Sequence, residues 1–251
     1  MNKRLCCSAI VLAVAGIILA WAYLAPAAPP EGKGYDRVLE KITFIHYKKG
    51  YAKPSDPGGG HGGRTEEGGY YTYIANGFRW KTTENYVFNT AGTTLKPRFV
   101  EDSLSAGISA WEEYGGNGIF GDLGYDPDAQ YDPDKTDGVN AFLFGPYPNA
   151  NVIAITTVWG YFSGPAGLRE ITEADILFNT DGINWGNASD APTLMDLQNI
   201  ATHEIGHCAG MGDLYQRRAG EETMYGYSTE GETSKRDLYL GDIAGIRNLY
   251  Q

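Results

Sequence analysis

With 251 residues, 42% of them hydrophobic, the chain can bury a substantial core in one domain with an appendage. A formal net charge of −11 excludes the basic surface that nucleic acid favours, so no nucleic-acid partner is expected. Of three cysteines, Cys6 and Cys7 sit together near the N-terminus and leave Cys208 alone, so no intrachain disulfide is available to the folded part.

Lys3 and Arg4 precede an almost unbroken apolar run over residues 5–25, of about membrane-spanning length. The segment reads as a signal peptide with a long h-region, cut after Ala27 or Ala28, or as an uncleaved signal anchor, the length tilting toward the anchor. Both readings leave Lys3 and Arg4 on the cytoplasmic side and export the remainder of the chain. The expected location is therefore extracellular, secreted or anchored to the outer face of the cell membrane by a single N-terminal segment, with the membrane a partner if the segment is uncleaved. The expected division is residues 1–30 as signal peptide or anchor, 31–74 as a Gly/Pro-rich linker or short pro-segment, and 75–251 as the main domain.

Residues 35–49 read as a short amphipathic segment containing His46, and residues 53–69, rich in Gly and Pro, as a loop or hinge containing His61. Both histidines read as solvated rather than as metal ligands. Strand signals begin at residues 71–74, 78–80 and 86–88. Residues 96–114 read as a helix, with Phe99, Leu104, Ile108 and Trp111 at helical spacing. Residues 121–138 read as a loop carrying Asp122, Asp126, Asp128, Asp132, Asp134 and Asp137. Clustered carboxylates beside Gly138 offer the oxygens that calcium prefers, most compactly at Asp132, Asp134 and Asp137, although EF-hand spacing is not met. Residues 151–162, mainly apolar and β-branched, read as a strand. This order suits a mostly parallel sheet backed by helices.

Residues 203–213 spell H-E-x-x-H-x-x-G-x-x-D. On a helix His203 and His207 are one turn apart and project from one face, so their ring nitrogens can converge on one metal ion. Leu194, Leu197, Ala201, Ile205 and Cys208 form an apolar stripe away from that face, so core and metal do not compete. Gly210 is the expected C′ stop, after which the chain can turn and bring Asp213 back as a third ligand. Two imidazoles and a carboxylate suit zinc and leave a fourth position open for water, which indicates catalysis rather than scaffolding. Glu204, not needed as a ligand, is the expected general base. Cys208 reads as a small buried apolar residue.

This string, with Met224 in Thr223-Met224-Tyr225-Gly226-Tyr227, resembles the metzincin zinc endopeptidases, and within them matrixin-like catalytic domains. Residues 173–179 look like the strand before the active-site helix, 196–202 like its lead-in and 242–250 like the closing helix. The resemblance covers roughly residues 75–251. It implies an α+β, zincin-like fold: a twisted, mostly parallel five-stranded sheet with an antiparallel edge strand, an active-site helix and a C-terminal helix. It also implies His203, His207 and Asp213 as zinc ligands, Glu204 as base, Met224 as the Met-turn and structural calcium. Residues 151–162 would be the sheet edge to which substrate peptide adds as a further strand. Matrixins usually carry histidine where this chain has Asp213, and often proline where it has Gly226 beside the pocket wall. The matrixin latency cysteine is absent from residues 26–70, so any latency must use another device. The expected activity is zinc-dependent hydrolysis of peptide bonds in extended polypeptides by metal-activated water. The alternative is a non-catalytic, zinc-containing cell-surface binding module.

Overall fold

The computed structural model describes residues 37–51, 61–116 and 118–251, all within one compact unit over residues 36–251. The N-terminal apolar run, Cys6, Cys7, the His61 side chain and the 52–60 part of the expected hinge lie outside the described residues. Among the described residues no helix is long and apolar enough to cross a membrane.

The elements in chain order are β1 (Glu40–Lys48), β2 (His61–Arg64), β3 (Tyr70–Tyr73), β4 (Glu84–Phe88), α1 (Pro97–Gly115), β5 (Phe120–Tyr125), β6 (Asn140–Gly145), β7 (Val152–Tyr161), β8 (Glu170–Asn179), β9 (Trp185–Gly186), β10 (Met195–Asp196), α2 (Leu197–Cys208), β11 (Tyr227–Ser228) and α3 (Leu240–Tyr250). The main sheet has the order β11-β1-β7-β8-β6-β4-β5. Strands β5, β4, β6 and β8 run parallel, and β7 lies antiparallel to β8. These five strands are the expected α+β arrangement. Two further strands extend it past β7, since β1 pairs antiparallel with β7 and parallel with β11.

Alternation along the strands sends residues to two faces. Phe142, Phe144, Ile176 and Phe178 face the helices and join the main core, while Ala141, Leu143, Val152, Ile155 and Leu177 form a smaller cluster on the other face. Pro97 opens α1, where its fixed φ and missing N–H cost nothing. Val100, Leu104, Ile108 and Trp111 then bury one face of that helix against the core. The Trp111 indole donates to the Thr202 carbonyl at 2.7 Å, tying α1 to α2. Gly107 permits the close approach, because a Cβ there would lie 2.9 Å from Ile205 Cδ1.

Two local expectations fail for physical reasons. Residues 78–80 form no strand. Their side chains instead hold the ends of helices: Trp80 Nε1 donates to the Cys208 carbonyl at 2.8 Å and Arg79 Nη1 to the Leu249 carbonyl at 2.7 Å. The acidic loop starts later than residue 121, since residues 121–125 belong to β5, paired parallel with β4 despite two glycines.

Candidate metal centre

Helix α2 is fixed at both ends. Asp196 caps its start by accepting from the Asn199 N–H at 2.9 Å, and the Arg236 guanidinium grips both oxygens of the same carboxylate. At the other end Gly210 takes φ +97°. The Gly210 N–H reaches the His207 carbonyl and the Met211 N–H the Gly206 carbonyl, both at 2.9 Å, which is a Schellman turn. The expected stop at Gly210 is therefore realised, and it reverses the chain toward the helix.

This reversal brings Asp213 to the histidines. Asp213 Oδ1 lies 3.3 Å from His203 Nε2 and 3.4 Å from His207 Nε2, and the three residues can present ligand atoms within 4.8 Å of one another. A tetrahedral ion with ligand bonds of about 2.0–2.1 Å spaces its ligands by about 3.3–3.4 Å. His203 Nε2 and Asp213 Oδ1 are buried yet make no hydrogen bond. Two buried polar atoms that face each other without a hydrogen bond fit a position shaped for a cation. The donor set fits zinc.

The histidines are oriented from behind. His203 Nδ1 lies 2.7 Å from the Thr223 carbonyl and His207 Nδ1 2.9 Å from the Met211 carbonyl. A carbonyl only accepts, so each Nδ1 carries the proton and each Nε2 keeps a lone pair for a metal. Asp213 Oδ2 accepts from the Tyr215 hydroxyl at 2.8 Å. Met224 is fully buried, and its sulfur occupies the space beside Gly206, where a Cβ would come within 2.3 Å of it. The methionine thus lies against α2 at a residue between the two histidines in sequence.

Burial, and next the neighbouring His46, draws the His203 pKa down to about 4. Burial also lowers that of His207, but Asp213, with Glu204 and the Met211 carbonyl, outweighs it and the net shift is upward. Asp213 is held well below the usual carboxylate range: burial would raise it, but His207 and His203 prevail. Glu204 is raised, chiefly by burial, with His203 and His207 offsetting part of that.

Glu204 does not face open solvent. Its Oε1 lies 2.8 Å from His46 Nδ1, and its Oε2 accepts from the Thr156 hydroxyl at 2.5 Å. The solvated reading of His46 is therefore corrected: the residue is only 2% exposed and its ring centroid lies 4.0 Å from that of His203. Phe44, two residues earlier, stacks on His207 with centroids 3.9 Å apart and planes within 13°. The signal for this was the apolar and β-branched run Ile42-Thr43-Phe44-Ile45-His46-Tyr47, a strand signature. Thr156, Thr223 and Tyr215 carried no signal, since their roles come from the sheet and turns that deliver them.

Asp132, Asp134 and Asp137 are not brought together. Among the described residues, the groups able to hold a metal involve only His46, His203, Glu204, His207 and Asp213. Asp132 and Asp137 cap N–H groups of their own loop, at Asp134 and Val139, and Asp134 pairs with Lys41 at 2.9 Å. Those bonds engage one oxygen of each carboxylate and turn the three side chains to separate partners.

The matrixin family matches residues 104–251, which contain the two histidines, Glu204, Asp213 and Met224. The chain belongs to the matrixin family. It is similar to Metalloendoproteinase 1-MMP of Arabidopsis thaliana, 45% identical over 56 residues, which is 22% of this chain and 14% of that protein. It is also similar to Metalloendoproteinase 1 of Glycine max, 35% identical over 97 residues, covering 36% of this chain and 30% of that protein. The match thus spans less than a third of the length of either relative.

Proposed function

We propose that the chain is a zinc-dependent endopeptidase acting on extended polypeptides, with His203, His207 and Asp213 holding the ion and Glu204 serving as general base. The observation that carries this reading is the convergence of two imidazole Nε2 atoms on one carboxylate oxygen, Asp213 Oδ1, at 3.3 and 3.4 Å. Membership of the matrixin family and the names of both relatives support it.

Zinc, when bound, supplies Lewis acidity toward the scissile carbonyl and makes water a better nucleophile near neutral pH. The chain supplies orientation and proton transfer. Carbonyls of Thr223 and Met211 keep both Nε2 lone pairs directed inward, and Tyr215 fixes the carboxylate of Asp213. Glu204, one residue from His203 and raised in pKa by burial, takes a proton from the attacking water and passes it to the leaving amine. Met224 lies against the helix beneath the histidines as the Met-turn. An extended substrate pairs through its main chain with the outer edge of β7. The same reading makes the protein exported, secreted or held at the outer face of the membrane by its N-terminal segment.

The test compares hydrolysis of a casein-type substrate by the wild type and by Glu204→Ala, with and without a chelator. Loss of cleavage by about 1000-fold or more in Glu204→Ala, with zinc and fold retained, is the expected result. Cleavage near the wild-type rate would remove the role given to Glu204.

A further inference from the structure

The edge of β7 that a substrate needs is already taken. Strand β1 pairs with it antiparallel from Glu40 opposite Gly160 to Tyr47 opposite Val152, and on its other side Tyr47 and Lys48 pair parallel with Tyr227 and Ser228 of β11. The strand is therefore paired along one edge with β7 and, at its C-terminal end, on the other edge with the segment after Met224. The five strands β7, β8, β6, β4 and β5 are continuous without it. Its inward residues meet the metal centre from above α2, with Phe44 on His207 and His46 on His203 and Glu204.

We propose that β1 is an autoinhibitory strand, occupying the groove in place of a substrate polypeptide, and that His46 is the residue that closes the site. The proposal rests on the endopeptidase reading above and adds a regulation of the same site. Glu204 has two oxygens, and both are engaged, one by His46 and one by Thr156. Thr156 lies on β7, so its bond belongs to the sheet edge itself. Releasing β1 removes only the His46 bond and leaves Oε1 available to water. The second nitrogen of His46, Nε2, is buried with no partner. An unsatisfied buried nitrogen is a cost that a purely structural histidine would not carry, and it marks the ring as placed for the centre rather than for the sheet.

The occupant is this chain's own segment, and its charges match the body it lies on. Arg37 pairs with Glu170 at 2.5 Å, Lys41 with Asp134 at 2.9 Å and Lys48 with Glu230 at 2.9 Å. A basic segment on a protein of net charge −11 is held partly by attraction that salt weakens. The segment between β1 and β2 includes residues 52–60, so a cut there separates the strand from the rest of the chain without touching either sheet partner.

The experiment uses the full chain with a site-specific protease recognition sequence placed within residues 52–60 and cut after folding. While the chain is intact, β1 is present at a high effective concentration, and cutting makes its release a matter of dilution. The cut protein should gain at least 20-fold in specific activity on dilution, while the intact protein stays flat. A fluorescent peptide of residues 38–50 should bind the diluted, cut protein saturably by anisotropy, and the same peptide with His46→Ala should bind at least tenfold more weakly. In the uncut chain, His46→Ala should raise activity and speed amide hydrogen exchange in β1. Equal activity of intact and cut protein at every dilution, with the peptide failing to bind, overturns the proposal. Saturable, His46-dependent peptide binding without cleavage of any substrate supports the strand's role and contradicts the endopeptidase reading instead.

Discussion

At the scale of single residues, the centre depends on atoms that are small or missing as much as on His203, His207 and Asp213. Gly206 lies between the two histidines in sequence, and a Cβ there would come 2.3 Å from Met224 Sδ and 2.5 Å from Trp111 Cζ2. Both neighbours are fully buried and packed, so they cannot yield cheaply. Gly206→Ala should therefore destabilise the fold by about 1–3 kcal/mol, read as a lowered midpoint in denaturant, and should displace Met224. An unchanged midpoint would mean that Met224 and Trp111 have room to yield. Gly210 is constrained differently: its φ of +97° is in the left-handed region, and a Cβ would also meet the Phe78 carbonyl at 2.5 Å. The motif residues His203, Glu204, His207, Gly210 and Asp213 were legible because the helical period and the glycine stop dictate their convergence. His46 was not, although the strand signature around it was present, because its partners Glu204 and His203 lie more than 150 residues away. No local rule links such positions.

At the scale of elements, β8 combines core packing with buried charge. Asp175 accepts from the Ala141 N–H at 2.9 Å, while burial, followed by nearby Glu173 and Asp137, raises its pKa to about 7. A carboxyl whose folded pKa exceeds its unfolded value stabilises the fold fully below the unfolded value and loses that contribution as pH rises through about 7. Asp175→Asn keeps an acceptor oxygen and removes the charge. It should raise the melting temperature at pH 8 by several degrees relative to wild type, with the two converging near pH 4. Equal melting temperatures at both pH values would show that the charge is better solvated than its burial implies. Helix α2 illustrates how much of an element its sequence contains. The apolar stripe of Leu197, Ala201, Ile205 and Cys208 is buried as its spacing requires. The opposite face is buried too, under β1 and the Met224 turn, and that covering cannot be inferred from the helix alone. The failed strand at residues 78–80 has the same origin: Phe78 and Trp80 are buried, but Arg79 and Trp80 satisfy helix ends rather than a ladder.

At the scale of the whole molecule, the order of strand and helix signals suited a mostly parallel sheet backed by helices, and its five strands with an antiparallel edge came from the resemblance to matrixin-like domains. The two added strands did not, because β11 is only two residues long and β1 lies among Gly- and Pro-rich flanks that suggest a linker. Their placement turns an open sheet edge into a filled groove. Net charge connects this to conditions: the pairs of Arg37, Lys41 and Lys48 with acidic residues of the body are partly exposed, and each is worth little singly. Together they should make hydrogen exchange in β1 faster at 1 M salt than at 0.05 M, whereas exchange in β6 and β8 should hardly change. Equal protection of β1 at both salt concentrations would assign its retention to main-chain pairing and to Phe44 and His46 alone.

One metal ion held by His203, His207 and Asp213 underlies every functional role proposed for this chain. Zinc content by elemental analysis, measured on the purified full chain and on Glu204→Ala, Asp213→Ala and the His203→Ala, His207→Ala double variant, tests it most directly. One zinc per chain is expected in the wild type and in Glu204→Ala, weaker retention by about 100-fold or more in Asp213→Ala, and none in the double variant. Zinc retained by the double variant, or absent from a folded wild type supplied with the metal, would contradict the assignment.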